Sequence, residues 1–140
     1  MNFNIGGIPA HPLFVHGAVV LIPLTALVLI AWVFVPRWKQ SFAIPTLLGG
    51  IVSFVVLILT RQTGEALPKD PGIHETYAGA FTIAVFLMVV AIIALFWAYK
   101  KEKWTTGLGW TLRIVAAVLA VAVLVTSVLT GHSGAALVWN

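Results

Sequence analysis

Four stretches of this chain stay apolar for longer than a soluble fold of its size requires, at about residues 12–35, 44–60, 75–97 and 112–130. A helix crosses the hydrocarbon of a bilayer with roughly 17–25 predominantly apolar residues. Lipid offers the backbone no hydrogen-bond partners, so each stretch must satisfy its own N–H and C=O groups as a helix. Pro12 suits a first helical turn, Pro36 stops the first span, and Pro45 lies near the start of the second. Short connections between successive spans predict an all-α, integral membrane four-helix bundle of up-down-up-down topology, a single four-span domain over residues 1–140.

Composition agrees. Only 9% of residues are charged and 61% are hydrophobic, whereas a soluble domain carries about a quarter charged residues. The solvent for most of this surface is therefore the lipid bilayer. The opening "MNFNIGGIPAHP" has neither a basic n-region nor a small-residue cleavage site, so the first span reads as a retained anchor. The net charge of +4 belongs to basic loops at a membrane face rather than to a nucleic-acid interface.

Several chemistries are excluded. Without cysteine there are no disulfides, no cysteine-ligated iron–sulfur cluster and no covalent c-type haem. Met1 and Met88 alone carry sulfur, which argues against a soft copper(I) site. No nucleophile elbow, phosphate-binding loop, zinc-protease motif or dinucleotide fingerprint is present, so no stand-alone catalytic activity is expected. No charge falls at mid-membrane and Pro23 brings no polar partner, which excludes a secondary transporter.

Basic residues set the expected orientation. Arg37 and Lys39 lie between the first two spans, and Lys100, Lys101, Lys103 and Arg113 around the third connection, against Arg61 and Lys69 opposite. The basic loops are thus predicted to be cytoplasmic in a bacterial cytoplasmic membrane, with both termini and the 61–74 connection outside. Trp32, Trp38, Trp97, Trp104 and Trp110 form a belt near the inner boundary. Ala80, Ala84, Ala91, Ala94 and Ala98, with Gly49/Ser53 and Ala116/Ala120, are small-residue stripes that permit close helix packing.

In this topology His11, His16, His74 and His132 all fall at the outer ends of spans one, three and four. An ionisable group in such sequence is a functional candidate by default. His11 precedes Pro12, which biases it out of the helix and to the rim, so His16, beside Gly17, is the expected buried ligand. His132 lies between Gly131 and Gly134, where the helix is expected to end and the tail to Trp139 to turn back. The connection "RQTGEALPKDPGIH" adds Arg61, Glu65, Lys69, Asp70 and, just beyond it, Glu75. Arg61 can pair with an anionic group such as a haem propionate, or snorkel to the interface.

Three readings remain open on the residues alone. A non-covalent b-type haem needs one imidazole from each of two facing helices. A zinc or copper(II) ion needs three or four converging ligands, which His16, His74, His132 and Glu65 or Glu75 would supply. The third reading is a cofactor-free accessory subunit of a larger membrane complex, its histidines only hydrogen-bonded.

The stretches "HPLFVHGAVVLIPLTAL", "TRQTGEALP", "GIHETYAG" and "GHSGAALVW" resemble, in this order and across nearly the whole chain, the bacterial four-helix membrane family filed as domain of unknown function twenty-two thirty-one, its actinobacterial members most of all. The resemblance carries over His11, His16, His74, His132 and Glu65. Some members look to be joined to Rieske-type domains, which implies a place near electron transfer and favours haem. The expectation is a cytochrome-like subunit with haem b held by His16 and either His74 or His132, with other membrane redox or respiratory subunits as partners.

Overall fold

The computed structural model describes residues 4–64 and 72–139. A two-residue strand β1 (Asn4–Ile5) pairs antiparallel with β2 (Ile8–Pro9) across Gly6 and Gly7. Both glycines hold positive φ, 61° and 84°, as a tight hairpin turn requires. Four helices follow: α1 (Ala10–Phe34), α2 (Lys39–Gly64), α3 (Ile73–Lys100) and α4 (Gly107–Trp139). All four are long and apolar enough to cross a membrane. Their 25 to 33 residues span about 38–50 Å at 1.5 Å per residue, more than the ~30 Å hydrocarbon thickness.

The helices overrun the predicted spans. α2 begins at Lys39 rather than near 44 and ends at Gly64 rather than near 60; α4 runs from Gly107 to Trp139 rather than from 112 to 130. Hydropathy marks where side chains are apolar, whereas backbone hydrogen bonding continues into the headgroup layer. The tail does not turn back: α4 stays helical through Gly131, His132 and Gly134, and neither glycine has positive φ. His11 is helical as well. Pro12 stands in the first turn of α1, where its missing N–H costs nothing, so helix geometry begins before it.

Local sequence explains the connections. Val35 is extended (φ −105°, ψ 98°) because Pro36 follows, and Pro36–Trp38 makes one 3-10 turn into α2. At the end of α3 the N–H of Lys103 donates to Ala98 O (2.8 Å) and that of Glu102 to Tyr99 O (3.2 Å). This is the Schellman arrangement, with Glu102 at φ 57° where glycine is usual. Thr106 then accepts the N–H of Gly109 (3.2 Å), capping α4.

Each helix packs on the two next to it in the ring, α1 on α2 and α4, and α3 on α4 and α2, leaving α1 and α3 diagonal. Contacts between helix ends fix the direction. The start of α1 meets the end of α2, the start of α3 meets the end of α4, and Arg113 early in α4 reaches Val33 late in α1. The topology is up-down-up-down. Close approach relies on α2: a β-carbon on Gly49 would lie 2.9 Å from Thr25 Oγ1, and one on Gly50 3.0 Å from Ile92 Cδ1. The core joins Ile22, Ala26, Leu29 and Trp32 of α1 to Val85, Met88, Ile92 and Leu95 of α3, with Ala116, Ala120 and Val123 of α4. Large apolar side chains such as Val20, Leu48, Ile83 and Val118 point outward, as in a bundle whose solvent is lipid.

The two hairpins share one plan. A shift of seventy residues carries buried Ala43, Thr46, Gly50, Ser53 and Thr63 of α2 onto buried Arg113, Ala116, Ala120, Val123 and Ser133 of α4. A shift of sixty-three carries buried Ala18, Ile22, Thr25, Ala26, Leu29 and Trp32 of α1 onto buried Phe81, Val85, Met88, Val89, Ile92 and Leu95 of α3, and His11 onto His74. The bundle is thus two alike hairpins related by an approximate two-fold axis along its length. "LTRQTGEAL" (Leu59–Leu67) and "LTGHSGAAL" (Leu129–Leu137) are the same motif at the ends of α2 and α4, although Glu65–Leu67 lie outside the described residues.

Candidate functional site

The site grows out of that repeat. His11, in the first turn of α1, lies on the inward stripe two turns before Ala18. Its Nδ1 is 3.0 Å from Thr63 Oγ1 on α2. Its ring rests on Gly64, where a β-carbon would come within 2.9 Å of Cε1. His74, in the first turn of α3, repeats this arrangement: Nδ1 is 3.0 Å from Ser133 Oγ on α4, and a β-carbon on Gly134 would come within 3.0 Å of its Cε1. The hydroxyl and the glycine are adjacent in each motif because one residue supplies the acceptor and the next the space for the ring.

The hydroxyls decide the tautomers. Thr63 Oγ1 already donates its proton to backbone carbonyls of its own helix, Leu59 O at 2.9 Å and Thr60 O at 3.0 Å. Ser133 Oγ likewise donates to Thr130 O at 3.1 Å. A hydroxyl whose one proton is so committed accepts from an imidazole that carries its proton on Nδ1. The His11 ring also bonds the backbone of Thr60; where Nδ1 carries the proton, Nε2 is the ligating nitrogen, the arrangement in which a second hydrogen bond orients a ligating histidine. His11 and His74 stand at the same end of the bundle. One turn inward from Ser133, Thr130 Oγ1 is buried and has no hydrogen-bond partner among the described residues.

The other candidates lie elsewhere. His16 is exposed, and its Nδ1 donates to the Pro12 carbonyl of its own helix. It falls two residues out of phase with the inward stripe, so the expected buried ligand faces away from the bundle. His132 is exposed beside Ser133. Arg61 is half-buried and donates from Nη1 to Thr82 Oγ1 on α3 at 3.1 Å. Glu75 is exposed; Glu65, Lys69 and Asp70 lie outside the described residues. Among the described residues no three His, Cys, Asp or Glu side chains gather as a metal would need.

Sequence reasoning gathers all four histidines at one end and leaves their partners unseen. Thr63 and Ser133 escape it, although the seventy-residue repeat of the L-T-x-x-[ST]-G-x-A-L pattern is a signal that finds them. No match was found among curated proteins or among solved structures. A family model described as "Predicted membrane protein (DUF2231)" matches residues 7–140. The chain is therefore a multi-pass membrane protein that belongs to this family.

Proposed function

We propose that the chain is a cytochrome-like membrane subunit that holds a b-type haem between His11 and His74. The observation that carries this reading is the pair of imidazoles, one on each of two diagonal helices at the same end of the bundle, each with its Nδ1 held by a hydroxyl of the neighbouring helix. Each imidazole is oriented from behind by a hydroxyl whose own proton is committed. The donor chemistry fits the group, since two neutral imidazoles from facing helices are the ligand set of a bis-histidine haem. One turn from Ser133, the buried Thr130 hydroxyl adds a polar atom that has no partner among the described residues.

The haem would supply a one-electron couple, and the chain's residues would set its conditions. Thr63 and Ser133 hold the two rings in the ligating tautomer and raise their basicity. Gly64 and Gly134 let the rings lie flat against α2 and α4. The apolar outer faces keep water from the flanks of the bundle, and Arg61 places a cation near the same end for an acidic edge of the ligand.

In this reading the excess of lysine and arginine at the opposite end makes that end cytoplasmic, so the histidine pair and both termini face outward in a bacterial cytoplasmic membrane. Other membrane redox or respiratory subunits would then donate and accept the electrons. The test is a pyridine haemochrome assay with elemental analysis on protein purified from haem-supplied cells. About one b-type haem per chain is expected. A colourless, metal-free preparation would overturn the proposal in favour of a cofactor-free accessory subunit, and stoichiometric zinc or copper in favour of a metal site.

A further inference from the structure

The opposite end of the bundle holds a different feature, a cavity of about 450 Å³ between the start of α2 and the α3–α4 connection. Its floor is aromatic. Trp104 is buried there, its ring 4.9 Å from Trp32 and 6.3 Å from Tyr99. Its walls are polar: Lys39 and Gln40 from α2, and Lys100, Glu102 and Thr105 across from them. Lys39 Nζ stands over the Tyr99 ring at 6.0 Å, which holds the ammonium at the cavity rather than in bulk water. Among the described residues neither Lys39 nor Lys100 has a carboxylate partner, although Glu102 lines the same cavity.

Three other cations at this end lie on aromatic faces. Arg37 lies on Trp38 at 5.4 Å, Lys103 on Trp97 at 5.5 Å, and Arg113 on Trp110 at 3.9 Å. Lys39 and Lys100 are the two cations that line the cavity. Glu102 reaches the same mouth from a left-handed backbone conformation, φ 57°, which a side chain adopts only at a cost. The cavity therefore combines two cations, a hydroxyl and an amide, with one carboxylate at its edge.

We propose that this cavity binds a phosphate ester, presented by the headgroup of a bilayer phospholipid. Lys39 and Lys100 hold the phosphate oxygens, Gln40 and Thr105 donate to it, and Glu102 accepts from a hydroxyl or ammonium further along the headgroup. The level is right for a lipid source. Trp97 and Trp110 are exposed at this end, where interfacial tryptophans lie beside phospholipid phosphates, and basic pockets between spanning helices are where phosphorylated headgroups bind. The inference is independent of the histidine site.

The test is native mass spectrometry of the full chain released from nanodiscs of phosphatidylcholine alone or mixed with phosphatidylglycerol or phosphatidylethanolamine. The wild-type chain is expected to keep one phosphatidylglycerol or phosphatidylethanolamine, whose headgroups offer Glu102 a donor, and to shed phosphatidylcholine. Lys39→Gln/Lys100→Gln should weaken retention about thirtyfold, at about 1 kcal/mol per lysine. Lys101→Gln/Lys103→Gln, which removes the same charge outside the cavity, should retain as the wild type does. Should inorganic phosphate protect the wild type but not the cavity variant from heating, with no lipid retained, the phosphate chemistry stands and its source is soluble. Equal retention by the cavity variant and the wild type, or equal loss in the control variant, would overturn the proposal.

Discussion

Arg113 of α4 forks onto the carbonyl of Val33 in the last turn of α1, donating from Nε at 3.1 Å and from Nη2 at 2.7 Å. Its guanidinium is buried and lies over Trp110 and Trp104. One side chain thus satisfies an orphan helix carbonyl, closes the ring of helices at the basic end, and keeps its charge against aromatic faces. Arg113→Ala should lower stability by about 2 kcal/mol, the scale of a charged hydrogen bond lost at a buried acceptor. Arg113→Lys should recover only part of it, because an ammonium cannot reproduce the fork. Thermal unfolding in detergent checks both, and an unchanged midpoint for Arg113→Ala would contradict this role.

Two glycines three residues apart in α4 should respond with opposite signs. A β-carbon at Gly131 meets nothing within 4 Å, whereas one at Gly134 comes within 3.0 Å of the His74 ring. Gly131→Ala should be neutral or stabilising by up to about 1 kcal/mol through helix propensity. Gly134→Ala must displace the imidazole and should reduce ligand retention at the histidine site. Gly64→Ala should do the same to His11, whose Cε1 lies 2.9 Å from where the added carbon would stand. Parallel melting curves and ligand content of the three variants decide it.

Thr63→Val and Ser133→Ala remove the acceptors behind the two imidazoles while leaving the helices intact. Each unlocks the tautomer that presents Nε2, and loss of such a supporting partner lowers the affinity of a histidine site about 10- to 100-fold. Haem titration of the apoprotein measures this. Thr60→Val, whose hydroxyl bonds its own helix at Val56 O (2.8 Å), is the comparison expected to change little.

Glu102→Gly should stabilise the chain by about 0.5–1 kcal/mol in lipid-free detergent, because glycine takes the left-handed Schellman position without the steric cost a side chain incurs there. Chemical or thermal unfolding is the readout. A destabilised variant would show that the Glu102 side chain makes a contact that outweighs its backbone cost.

The bundle is legible in the sequence because four apolar runs in a chain with few charges leave lipid-spanning helices as the one way to satisfy the backbone. The inward face of each helix is not. α1 is apolar on every side, so periodicity cannot separate the face that meets α2 and α4 from the face that meets lipid. Sequence alone therefore ranks His16 as the interior ligand and His11 as the rim, and the helix phase reverses that order: His11 shares the stripe of Ala18, Ile22 and Leu29, and His16 does not. Proline and glycine mislead in the same way. Pro12 suggests that His11 stays out of the helix, and Gly131 with Gly134 that a helix ends, yet a first-turn proline is compatible with helix, and Gly134 stands inside α4 against the ring of His74. The partners Thr63 and Ser133 are within reach of sequence alone through the repeated motif at the ends of α2 and α4.

Whether His11 and His74 grip one haem is decided by the reduced-minus-oxidised absorption spectrum of haem-supplied protein carrying each histidine in turn as alanine. A bis-imidazole b-type spectrum is expected in the wild type, His16→Ala and His132→Ala. It should vanish in His11→Ala and His74→Ala, with added imidazole restoring it in both. An unaltered spectrum in His11→Ala or His74→Ala, or a colourless wild type, would refute the shared haem.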